Sequence, residues 1–211
     1  MARGFILAGT VLLTMSALPA TSGQTQYFMG DVWGVWQVLP EGEDADPEEK
    51  PHCLFGTRTW PQKGLNVMYV LTSADYVEPW LQIYSTGWEL PVGKKTKVDL
   101  VTVAGPLGFE LEATSASYLT ASIDPKIVGK DKSFAFEVAL SYMLDSRRTG
   151  INMRVKFAGS EPEWFIPAMD QLEAYQLNAA FRKCIGELRS KGGDFYSGRQ
   201  TPDGKTSPFA E

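Results

Sequence analysis

A chain of 211 residues, 44% hydrophobic and 21% charged, can bury one core and fits a single domain. Its formal net charge of −5 excludes the basic footprint that nucleic-acid binding calls for. The acidity bears on solubility and disfavours nonspecific attachment to anionic surfaces.

The first residues carry the three-part pattern of a secretory signal. Arg3 supplies a short positive region, Phe5 to Ala17 is an apolar run, and Pro19 breaks it ahead of Ala20-Thr21-Ser22-Gly23. The run is shorter than the roughly 20 apolar residues of a membrane span. No cysteine stands near the cleavage region, which argues against a lipid-modified N-terminus. The expected organisation is a signal over 1–23, a single β-rich domain over 24–190 and a disordered polar tail over 191–211. The mature chain is expected in the periplasm or secreted, with no membrane span once the signal is removed.

Asp31 to Leu39 reads as the first strand, Trp33, Val35 and Gln37 alternating with Gly34, Trp36 and Val38. The loop from Pro40 to Pro51 holds Glu41, Glu43, Asp44, Asp46, Glu48 and Glu49. It lacks the alternating order of a calcium-binding loop and reads as a solvated segment. His52 to Thr59 reads as a second strand. Leu65 to Leu71, Trp80 to Tyr84, Lys97 to Val103, Phe109 to Ala113 and Leu119 to Ile123 follow, the last two with clear period-2 alternation.

Ser133 to Asp145 fits both periods and leans to a helix on Ala135, Glu137, Ala139, Leu140, Met143 and Leu144. The turn Arg147-Arg148-Thr149-Gly150 leads into a strand with Ile151, Met153, Val155 and Phe157 on one face, and Glu163 to Pro167 adds a short one. The last element is a helix from Gln171 to Leu188, capped by Asp170 with Glu173 three residues on. Leu172, Tyr175, Ala179, Cys184 and Leu188 form its stripe, with Leu177, Phe181 and Ile185 beside it. Gly192-Gly193 ends the pattern. The fold class that follows is mainly β: a β-sandwich or open barrel of about eight short strands with a C-terminal amphipathic helix.

Chemistry-bearing motifs are sparse. Export and an even cysteine count predict a disulfide between Cys53 and Cys184. It would close a loop of over a hundred residues, for which the chain-entropy relation gives at most about 5 kcal/mol. The single histidine, His52, adjoins Cys53, and no G-x-S-x-G is present, so a Ser-His-Asp triad has no evident base. The same scarcity argues against zinc, and no phosphate-binding glycine loop occurs. No catalytic, cofactor-binding or metal-binding residue is assigned. Carboxylates are numerous enough for a glycosidase pair, but none can be singled out.

Six tryptophans stand at Trp33, Trp36, Trp60, Trp80, Trp88 and Trp164. Aromatics usually fill β cores. Trp60 beside Pro61 and Trp88 beside Gly87 are the ones expected at the surface, and they are the candidate ligand-binding residues. Lys94, Lys95 and Lys97 read as a solubilising edge.

Several segments together carry a resemblance. They are Gly30-Asp31-Val32-Trp33-Gly34-Val35-Trp36-Gln37-Val38, Cys53-Leu54-Phe55, Gly87-Trp88-Glu89-Leu90-Pro91-Val92-Gly93, Val155 to Trp164, and Ala180-Phe181-Arg182-Lys183-Cys184-Ile185. On these the chain resembles the invasion-associated locus B family of exported alphaproteobacterial proteins. It departs from many relatives in having no cysteine after the tryptophan of the first strand. The resemblance implies a mostly β, periplasmic or surface-associated protein linked to host-cell invasion, and it carries over no catalytic residue.

The leading expectation is an exported noncatalytic envelope protein supporting protein–protein or host-cell interaction. Its partner would be an unidentified envelope or host protein, with no cofactor. A second reading is a glycan-binding β module using Trp60 and Trp88. A third is a carboxylate-based hydrolase.

Overall fold

The computed structural model describes residues 23–40, 50–58, 62–102, 105–145 and 153–198, with side chains as far as Gly192. The signal segment, the acids of the loop 41–49, Trp60, the turn 147–150 with residues 151–152, and the tail from 199 lie outside them.

Ten strands and three helices occupy the described residues. The strands are β1 (Gln24–Met29), β2 (Trp33–Val38), β3 (His52–Thr57), β4 (Lys63–Leu71), β5 (Val77–Ser85), β6 (Lys95–Thr102), β7 (Gly105–Ala113), β8 (Tyr118–Ser122), β9 (Arg154–Phe157) and β10 (Trp164–Phe165). The helices are α1 (Pro125–Val128), α2 (Lys130–Met143) and α3 (Gln171–Gly198). All strands join one antiparallel sheet in the order β1-β2-β3-β4-β5-β8-β7-β6-β9-β10. The protein is mainly β, an open barrel or sandwich closed by a C-terminal helix.

Alternation sends one set of side chains inward. Trp33, Val35, Cys53, Phe55, Leu65, Val67, Leu81, Ile83, Leu111 and Val155 are buried there. Helix α3 lies on this inner side. Phe181 meets Phe55 and Tyr69 edge-on at 4.8 and 5.3 Å. Phe136 of α2 packs on Phe109 of β7 at 5.7 Å. The sheet curls until the chain beyond β10 reaches the start of β2, where Trp33 Nε1 donates to the Pro167 carbonyl at 3.0 Å. The expected disulfide is formed: Cys53 on β3 and Cys184 on α3 are bonded, Cα atoms 6.0 Å apart across a separation of 131 residues.

Three expectations are corrected. The described residues form ten strands rather than about eight, and β1 is among the additions: Gln24, Thr25 and Gln26 are exposed and give no alternation to read. Its place at the sheet edge explains that composition. The buried stripe of α3 is Ala174, Leu177, Phe181, Cys184 and Leu188, whereas Leu172 and Tyr175 are about two-thirds exposed, at 64% and 65%. The expected stripe joined two faces: Leu172, Tyr175 and Ala179 share one side of the helix, whereas Cys184 and Leu188 lie on the opposite, buried side with Leu177 and Phe181, and the five-residue step from Ala179 to Cys184 crosses between them. The helix also runs past Gly192-Gly193 to Gly198. A β-carbon at Gly192 would collide with the Ala74 carbonyl, so glycine there permits close passage over the β4–β5 turn.

Candidate functional site

Side chains pointing away from α3 form rows across the sheet, fixed by the strand register. One row runs Gly34, Gly56, Asn66, Gln82 and Thr120. On one side of it Gln26, Trp36, Leu54, Met68 and Trp80 line up. On the other side, Gly64, Tyr84 and Tyr118 are directly paired.

Glycines let aromatic rings lie down on this face. The indole of Trp36 lies across Gly34, where an added β-carbon would collide with its six-membered ring. The phenol of Tyr84 covers Gly64 in the same way. Tyr118 stands beside it, ring centroids 5.3 Å apart and planes inclined by 32°. Between the two aromatic positions, Asn66 Nδ2 donates to Gln82 Oε1 at 2.7 Å, and Asn66 Oδ1 sits over Gly56. That bond uses one donor and one acceptor. The Gln82 amide nitrogen has no partner among the described residues.

Trp36, Asn66, Tyr84 and Tyr118 line an open groove of about 510 Å³ with Gln24, Gln26, Thr57 and Arg58, and Gln82 stands behind Asn66 as its hydrogen-bond partner. The volume lies in the range of ligand-binding clefts. Arg58 is the one charged side chain of the lining among the described residues and is exposed. Burial, and then the neighbouring Tyr118, push the Tyr84 phenol above its ordinary pKa, so it is a neutral hydrogen-bonding group at physiological pH. The arrangement offers two flat apolar faces, amide donors and acceptors, and one cation.

Trp88, expected at the surface, is half-buried and built into a packing cluster. Its ring stacks on Trp164 at 5.3 Å and 19° and meets Phe157 edge-on at 5.7 Å. One carboxylate ties the pair: Glu161 accepts from Trp88 Nε1 at 2.9 Å and from Trp164 Nε1 at 2.7 Å. Lys63 Nζ lies 5.0 Å from the Trp164 ring. Cluster and groove are separate. In the sequence Trp36 stands out no more than any strand tryptophan, and the rings and the residues between them become neighbours only through cross-strand register.

A second groove, also about 510 Å³, lies between α2 and α3 over Tyr69. There the Tyr69 hydroxyl donates to Glu137 Oε1 at 2.6 Å, and burial pushes its phenol strongly up. No group of three or more His, Cys, Asp or Glu residues able to hold a metal occurs among the described residues. No described helix is long and apolar enough to cross a membrane. No protein-family model, curated protein or solved structure matches this chain.

Proposed function

We propose that this is an exported, noncatalytic binding protein of the bacterial envelope, and that it engages an envelope or host-cell component through the outer face of β1–β5 and β8. The observation that carries the reading is the pair of rings laid flat over Gly34 and Gly64 on either side of the Asn66–Gln82 amides. Side chains of this kind stack and hydrogen-bond. They hold a ligand without supplying a nucleophile or a carboxylate pair.

Export is supported by the signal pattern ahead of Gly23 and by the Cys53–Cys184 bridge, which suits an oxidising compartment. The resemblance to the invasion-associated locus B family points the same way, to the periplasm or cell exterior and to contact with a host. Under this reading the ligand surface is built on Trp36, Tyr84 and Tyr118, with Trp88 a packing element of the fold.

The test is binding of the purified exported chain to intact envelope fractions and to host cells, compared with Tyr84→Ala and Trp36→Ala. Both substitutions are expected to reduce binding with the melting transition retained. Undiminished binding by two folded variants would remove the groove from the account.

A further inference from the structure

The outer groove has a chemistry that selects among ligands. Its rings expose flat apolar faces, and the groups between them are amides, which donate and accept in fixed geometry. The backbone donors and acceptors of β2–β5 are used in the ladder on both sides, so an extended peptide cannot add here as a strand. Among the described residues the lining holds no carboxylate to attract a cation and only Arg58 to attract an anion. A ligand suited to this face has a flat C–H surface for the rings and many hydroxyls at its edge.

The groove is also long. Its lining comes from six adjacent strands, β1-β2-β3-β4-β5-β8, spaced by about 4.8 Å, so it extends over roughly 24 Å. Trp36 stands toward one end and the Tyr84–Tyr118 pair at the other.

We infer that the groove between Trp36 and Tyr84 binds a pyranose oligosaccharide. One sugar ring stacks on the Trp36 indole and another on the Tyr84–Tyr118 pair. Asn66, oriented by its bond to Gln82, meets ring hydroxyls between them, and Arg58 takes a hydroxyl or a sugar carboxylate. The inference rests on the reading of this face as the binding surface and adds the class of ligand.

Calorimetric titration of the full exported chain with cellohexaose, chitohexaose and a hyaluronan hexasaccharide tests it, the last probing the contribution of Arg58. At least one is expected to bind. Tyr84→Ala and Gly64→Ala should each weaken that binding about tenfold or more, with Gln82→Ala as the third variant should either ring variant fail to fold. In parallel, the envelope or host surface that captures the chain is treated with periodate, which cleaves sugar diols. Loss of capture supports the inference even if none of the three hexasaccharides binds. If none binds and capture survives both periodate and lysozyme, which cuts N-acetylhexosamine chains that lack vicinal diols, yet still depends on Tyr84, the groove binds something other than a glycan and only this inference falls. A hexasaccharide that binds all variants equally places the sugar elsewhere and overturns it too. Capture that does not depend on Tyr84 at all defeats the groove itself.

Discussion

Tyr84 of β5 lies across Gly64, its directly paired residue on β4, closely enough that a β-carbon at position 64 would overlap the phenol ring. The aromatic and the glycine therefore form one unit: the missing side chain is what lets the ring lie flat. The same holds for Trp36 and Gly34 along β2. Gly64→Ala should displace the ring without removing it. Ligand binding should fall nearly as far as in Tyr84→Ala, while the fold loses only about 1–3 kcal/mol from local overpacking. Thermal melting and a binding isotherm on the same sample check both halves. Full affinity in Gly64→Ala would show that ring orientation does not matter.

The Cys53–Cys184 bridge ties β3 to the helix face that carries Phe181 and Leu188. The Phe181 contacts with Phe55 and Tyr69 dock that face without the sulfurs. Cys184→Ser should therefore fold but lose about 2–5 kcal/mol. In a chain of this size the melting temperature should drop by roughly 5–15 °C. Reductant should lower the wild-type transition by a similar amount and leave the variant unmoved. Two reactive thiols per chain in denatured, unreduced protein would contradict the bridge.

Glu161 accepts from both indoles of the Trp88–Trp164 stack. Glu161→Leu removes the shared acceptor and leaves two indole N–H groups to find water. About 1–3 kcal/mol of stability should go, and tryptophan emission should shift. Ligand binding should be unchanged, because no residue of this cluster lines the groove. A binding defect in folded Glu161→Leu would mean that cluster and groove act together.

Tyr76 gives a pH signature. Its hydroxyl donates to Asp124 Oδ2 at 2.5 Å, while Asp124 Oδ1 accepts from the Lys126 amide at 2.6 Å as the cap of α1. These bonds, the tyrosine first, hold the Asp124 carboxyl below the usual carboxylate range, and the same bond pushes the Tyr76 phenol up to about 12. A depressed carboxylate stabilises the fold above its unfolded pKa, and that stability disappears as pH falls through the folded value. Tyr76→Phe should thus melt below wild type by a constant interval between about pH 5 and pH 9, an interval that narrows below about pH 4 and, because the phenol is raised, again above about pH 10. An equal interval at pH 3 and pH 7 would contradict the ionic character of the bond.

Much of the fold was legible in the sequence. The β class, the helix over α2 and the cysteine pairing follow from alternation, composition and compartment. What stayed hidden depends on neighbours distant in the chain. The edge strand β1 has no inward-facing period to betray it. Helix α3 carries two stripes with the same spacing, and only the docking of Phe181 on Phe55 selects the buried one. The groove was the least legible part. Gly34, Gly56 and Gly64 look like ordinary strand interruptions until the register sets Gly56 against Gly34 and Tyr84 over Gly64. Trp88 beside Gly87 resembles a surface aromatic, and nothing local announces Trp164 and Glu161 as its partners.

The most direct test of the outer face as the working surface is a two-dimensional ¹H–¹⁵N NMR titration of the exported chain with the best-binding of the three hexasaccharides. The Trp36 indole N–H, the Asn66 and Gln82 side-chain amides and the backbone amides around Tyr84 and Tyr118 are expected to shift together along one saturating curve. The Trp88 and Trp164 indoles should stay fixed. Shifts confined to the Trp88–Trp164 cluster or to the α2–α3 groove, with Trp36 and Gln82 unmoved, would contradict it.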